Sequence, residues 1–86
     1  MIPKNITRKT ILEAIRMVDE DGIPKKRRST KYNLAYENKL YPPKYLISLA
    51  NKIISGEELN PEVFGGGAES NTYLAALGFE IRGGKS

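Results

Sequence analysis

The chain contains no cysteine, no histidine and no tryptophan. Without cysteine there is no disulfide framework and no thiolate nucleophile. Without histidine it lacks the commonest general base at neutral pH and the commonest side-chain metal ligand. No apolar run approaches the roughly 20 residues that a membrane-spanning helix requires. The N-terminus lacks the apolar core of a signal peptide. A cytoplasmic, soluble domain is therefore expected, with no cofactor, no metal and no membrane partner.

Acidic residues are in the minority, ten against fourteen Lys and Arg, for a formal net charge of +4. That excess is moderate, and by itself it suits a soluble surface. Its distribution says more. Lys25, Lys26, Arg27 and Arg28 are consecutive, and Lys31 follows closely. Clustered cations of this kind point toward nucleic acid. The remaining composition, 40% hydrophobic over 86 residues, suits one small folded unit. A single domain over residues 1–82 is expected, with 83–86 as a flexible tail or the start of a linker.

Along the chain, residues 1–6 read as a short polar lead that frays. Thr7 can cap a helix whose apolar positions Ile11, Ala14, Ile15 and Val18 recur every three or four residues. Gly22 and Pro24 stop it. The acids Asp19, Glu20 and Asp21 stand at the wrong end for the helix dipole and are placed to neutralise part of the basic run. That run, four like charges in a row, predicts an extended, solvated loop. Two readings of it stay open: a loop that stays in water, or an arm that orders on phosphate and releases counterions.

Tyr32, Leu34 and Tyr36 alternate with polar or small residues, the period of a half-buried strand. Glu37-Asn38-Lys39 supplies a turn, and Leu40-Tyr41 returns until Pro42 ends the ladder. These tyrosines favour packing over base stacking. Pro43 suits the first turn of a second helix. Its residues Leu46, Ile47, Leu49, Ala50, Ile53 and Ile54 cover more than half the circumference, which predicts the central buried helix. Lys44, Ser48, Asn51 and Lys52 are left for its exposed strip. Lys44 stands in the first turn, against the dipole, which admits either a functional cation or a snorkelling one.

Gly56 closes that helix, and Glu57-Glu58 reads as linker. Asn60-Pro61 opens a single turn toward Phe64, a core plug. Gly65, Gly66 and Gly67 precede a short helix expected over residues 72–77, capped by Ser70 or Asn71. Gly78 and Phe79 fit a Schellman ending. Phe79 to Arg82 alternates as a last strand able to join the hairpin. The fold class is α+β: helix, β-hairpin, helix, short helix and strand, with a small antiparallel sheet packed on helices.

The glycine run carries no Walker signature, because no Lys-Ser or Lys-Thr follows Gly67. A dinucleotide-binding βαβ unit does not fit either. Two readings stay open: the glycines only allow a tight corner while Ser70 or Asn71 caps the helix, or they offer N–H groups to one backbone phosphate, helped by Ser70, Asn71 and Thr72. The carboxylate pairs Asp19 with Asp21 and Glu57 with Glu58 have no histidine to work with. No catalytic residue is assigned, and the chain is not expected to be an enzyme by itself.

Tyr41-Pro42-Pro43-Lys44, Ile47-Ser48-Leu49-Ala50, Phe64-Gly65-Gly66-Gly67, Ser70-Asn71 and Leu77-Gly78-Phe79 form an ordered set. That set resembles the N-terminal head domain of McrA-like (type IV, modification-dependent) HNH restriction endonucleases, over about Gly22 to Arg82. The resemblance implies a non-catalytic module that helps its enzyme engage DNA, with cleavage by a separate HNH nuclease domain. This chain is then an excised domain or a free-standing relative.

The expected function is a DNA-binding module of a restriction or phage-defence system that contacts the phosphate backbone of duplex DNA. From the local chemistry, the expected contacts are Lys25, Lys26, Arg27, Arg28, Lys31, Lys44, Gly66, Gly67, Ser70 and Asn71. The alternative is a protein-interaction module or a small phage-encoded inhibitor, with a host protein as partner.

Overall fold

The computed structural model describes residues 2–28, 32–64 and 68–83. Helix α1 (Arg8–Asp21) starts as its sequence dictates. Thr7 and Thr10 cap reciprocally: the Thr10 N–H donates to the Thr7 hydroxyl, and the Thr7 N–H donates to the Thr10 hydroxyl. Gly22 ends the helix at φ +82°, its N–H donating to Val18 O at 2.8 Å. Ile11, Ala14, Ile15 and Val18 form its buried stripe.

Residues 2–6 of the lead segment are packed against the domain. Ile2 and Ile6 both enter the core, and the Tyr73 hydroxyl sits 2.7 Å from Ile6 O and 3.0 Å from Pro3 O. Two buried isoleucines and a long-range hydrogen bond outweigh the entropy of a free end, which a local count of polar residues does not register.

Strands β1 (Tyr32–Tyr36) and β2 (Lys39–Tyr41) form the expected hairpin. Its turn is shorter than expected, because Lys39 already pairs with Tyr36. Glu37 and Asn38 take φ of +49° and +67°, so two residues make a type I′-like reversal whose twist matches the strands. Strand β3 (Glu80–Gly83) pairs antiparallel with the other side of β1, giving the order β2-β1-β3. Leu34, fully buried, lies between Tyr41 and Ile81 in this register. Tyr36 meets Phe79 edge to face at 6.1 Å between ring centroids. The Tyr41 hydroxyl donates to Asp19 Oδ1 at 2.7 Å, tying β2 to the end of α1.

Helix α2 (Pro43–Ser55) packs on α1 and carries the densest part of the core, from Tyr45 to Ala50. Pro43 occupies its first turn, and Gly56 closes it at φ +91°. Two assignments from periodicity fail. Ile53 and Ile54 are 39% and 37% exposed, because α2 continues its apolar stripe beyond the elements that cover it. Ser48, assigned to the wet strip, is fully buried. Its hydroxyl donates to Leu59 O at 2.8 Å, so the polar group is satisfied by the chain folding back after Gly56.

Asn60 accepts from the Glu62 N–H to open a 3₁₀ turn, Pro61–Val63, and Phe64 plugs the core at 4% exposure. Helix α3 spans Ala68–Ala76, so it begins earlier than the expected residue 72. Ala68 and Glu69 are good helix formers, and Ser70 and Asn71 therefore lie inside the first turns and do not cap them. The ending matches expectation. Gly78, at φ +95°, donates to Ala75 O at 2.9 Å, and Phe79 donates to Leu74 O at 3.1 Å. These are the two bonds of a Schellman motif. Arg8 completes the closure: it stacks 4.5 Å from the Phe79 ring centroid and donates to Leu77 O at 3.1 Å.

Candidate nucleic-acid interface

The basic run is not an extended loop. Lys25–Arg27 forms one 3₁₀ turn, closed by the Arg27 N–H donating to Pro24 O at 2.9 Å. Like-charge repulsion favours an open chain, but Arg27 finds three partners that offset it. Its Nη1 donates to Glu58 Oε1 at 3.1 Å, and its Nη2 donates to Ser48 Oγ at 3.0 Å. Its Cζ lies 4.9 Å from the Tyr45 ring centroid. The Arg27 side chain is only 21% exposed. Of the four cations, Arg27 is thus turned inward.

Lys25, Lys26 and Arg28 are exposed. None of them makes an ion pair among the described residues, whereas several other cations do. Arg16 bridges Glu13 and Glu20, Lys39 meets Asp19 at 3.7 Å, and Arg82 meets Glu80 at 2.7 Å. The hydrogen bonds from Arg16 and Arg82 hold the Glu13 and Glu80 carboxyls below their ordinary range. Among the described residues, the acids at the end of α1 make no ion pair with the basic run. Asp19 goes to Tyr41 and Lys39, and Glu20 goes to Arg16. Among the described residues, the carboxylate paired with the run is Glu58, which the sequence suggests only as linker.

Lys44 stands in the first turn of α2, half-buried, with Nζ 5.2 Å from the Phe64 ring centroid. The ring face gives the ammonium a partner that the helix dipole denies it. The segment from Glu58 to Phe64 meets the first half of α2 at Leu59, through Ser48, and at Phe64, through Lys44, while Glu58 joins it indirectly through Arg27. The basic turn and Lys44 are both fastened to that half of α2.

The second group of candidate residues is less coherent. Ser70 is 1% exposed, so its hydroxyl is not presented at a surface. Asn71 is half-buried, and its Oδ1 is buried without a hydrogen-bond partner. Lys31, Gly66 and Gly67 lie outside the described residues. Of the basic run, Arg27 is fastened to α2, the helix on which Lys44 also stands, while Ser70 lies apart, in the core.

Sequence reasoning missed Tyr45, Ser48 and Glu58 as the partners of Arg27. One signal was available, a lone serine between Ile47 and Leu49 in the most apolar helix. A polar residue in such a place needs a partner from elsewhere in the chain.

A concavity of about 460 Å3 lies beside the hairpin turn, lined in part by Glu37, Lys39, Leu40, Glu80 and Arg82. Its mixed charges include the Glu80–Arg82 pair, so it does not suit a polyanion. Among the described residues no group of three or more acidic side chains could hold a metal ion. No described helix is long and apolar enough to cross a membrane.

A family model described as "ScoMcrA-like, N-terminal head domain" matches residues 4–83. No curated protein and no solved structure shows a match.

Proposed function

The chain belongs to the ScoMcrA-like N-terminal head-domain family, and on that premise we propose that it is a non-catalytic DNA-binding module of a McrA-type restriction or phage-defence system. The observation that carries the proposal is the ordered turn that presents Lys25, Lys26 and Arg28 exposed and without ion pairs among the described residues. Each cation that neutralises a phosphate releases condensed counterions, which favours binding. Lys44 extends the cationic surface at the start of α2, and Lys31, Gly66 and Gly67 belong to the same proposal. Ser70 does not contribute its buried hydroxyl. Asn71 remains a candidate through its amide group.

Contacts of this kind position a protein on duplex DNA and carry little sequence information. Base recognition and strand cleavage then fall to other parts of the assembly, the latter to a separate HNH nuclease domain. A cytoplasmic location follows from such a role.

The test is a salt titration of binding to a short duplex. The logarithm of the binding constant should fall linearly with the logarithm of salt, by about 0.9 per phosphate neutralised. The variant Lys25→Ala/Lys26→Ala/Arg28→Ala should bind more weakly at every salt concentration and reduce that slope by up to about 3. Absence of binding at low salt, or an unchanged slope in the variant, refutes the proposal.

A second reading has one observation in its favour. Ile53, Ile54 and Val63 are exposed apolar residues on α2 and the turn that follows it, which suits a protein-interaction module or a small inhibitor of a host protein. A protein partner retained after nuclease treatment, with no shift of DNA, selects this alternative.

A further inference from the structure

We infer that Arg27 is a positioning residue that fixes the basic turn in its binding geometry through Ser48 and Glu58, and that it is not itself a phosphate contact. The inference rests on the DNA-binding reading above and says how that site is made ready.

Arg27 spends its guanidinium inside the protein. One nitrogen donates to Glu58 at 3.1 Å, another donates to Ser48 at 3.0 Å, and the plane lies over Tyr45. Ser48 is fully buried and its hydroxyl proton is given to Leu59 O, so its lone pair is directed by the fold toward an incoming donor. The Leu59 N–H in turn donates to Ser48 O at 3.3 Å. Glu58 and Ser48 are thus held beside each other before Arg27 arrives. A planar fork of five N–H donors can engage a carboxylate, a hydroxyl and a ring face together, which a lysine ammonium on a flexible stem does not reproduce.

The consequence concerns its neighbours. Lys25, Lys26 and Arg28 flank a residue that is fastened at three points, so their backbone is already placed when DNA arrives. An extended arm would lose conformational entropy on ordering, and a preformed turn loses less. Glu58 therefore favours binding although its charge opposes DNA.

That opposition of sign makes the inference testable. Glu58→Ala removes a negative charge from beside a cationic surface. Coulomb's law alone then predicts tighter binding of DNA. The lock predicts weaker binding, by about fivefold at low salt, with faster hydrogen exchange at the Arg27 amide that closes the turn onto Pro24 O. Amides within α1 and α2 should exchange as in the wild type, which separates a local opening from general destabilisation. Arg27→Lys, which keeps the charge and loses the fork, should weaken binding to a similar extent.

If the wild type binds in a salt-dependent way but Glu58→Ala binds equally or more tightly, the lock is overturned and the DNA-binding reading stands. Wild-type affinity in Arg27→Lys, or an unchanged Arg27 exchange rate in Glu58→Ala, overturns it as well. If the wild type does not bind duplex DNA at low salt, both fall.

Discussion

Tyr41→Phe removes one oxygen from a residue that is 3% exposed. The hydroxyl donates to Asp19 at 2.7 Å, and this contact joins β2 to the last turn of α1. Hydrogen bonds to a charged partner contribute about 1.5–3 kcal/mol. Asp19 stays partly exposed and keeps Lys39 at 3.7 Å, so the cost at neutral pH belongs at the low end, about 1.5 kcal/mol.

Alkali should erase this difference. Burial and then the Asp19 carboxylate push the Tyr41 phenol from its ordinary 10 up to about 12. The unfolded chain releases that proton near the lower value and the folded chain near the higher one. Between them the native state binds more protons, so stability falls as pH rises. The loss reaches about 1.4 kcal/mol near pH 11 and about 2.7 kcal/mol well above pH 12. The variant has no such proton to lose. Tyr45 and Tyr73 are also raised, chiefly by burial, but they act in both proteins and cancel in the comparison. Urea unfolding at neutral pH should separate the two proteins, and near pH 11 their stabilities should converge to within a few tenths of a kcal/mol. A separation that does not change with pH refutes the reasoning.

Ser48→Ala leaves the Leu59 carbonyl and one Arg27 nitrogen without their buried partner, which should cost about 1–3 kcal/mol. Thermal unfolding measures it, and a melting point within about 2 °C of the wild type shows that both groups find water without penalty. Ile53→Gln and Ile54→Gln should each change stability by less than about 0.5 kcal/mol, while Leu46→Ala, at a fully buried position of the same helix, should lose about 2–5 kcal/mol. Losses above about 1 kcal/mol at residues 53 or 54 show that the end of α2 is covered after all.

Those last variants sit where sequence and tertiary structure part company. Ile53 and Ile54 continue the apolar stripe of Leu46, Ile47 and Ala50, and periodicity cannot say where the covering layer stops. Ser48 falls on the polar side of a helical count, yet Leu59 returns across it and buries it. Ile2 and Ile6 are too few to form a pattern, and only the position of Tyr73, far along the chain, explains why they are held. Helix α3 begins ahead of Ser70 and Asn71, although both residue types prefer caps, because Ala68 and Glu69 favour helix and Ser70 is buried in the core.

What the sequence determined by itself is the order of elements and most of their ends. Thr7, Gly22, Asn38, Pro43, Gly56, Asn60 and Gly78 act through their own backbone chemistry and that of residues two to five positions away. Such effects are local, so they survive in one dimension. The family, too, was legible, because its motif set is an order of short pieces. The functional surface was legible only as charge. Four consecutive cations say that positive charge is concentrated there, and nothing in that run says that the third faces inward. The fold decided that, by bringing Tyr45, Ser48 and Glu58 from up to 31 positions away to one guanidinium. Tertiary structure alone could do so, because those partners are neighbours in space and not along the chain.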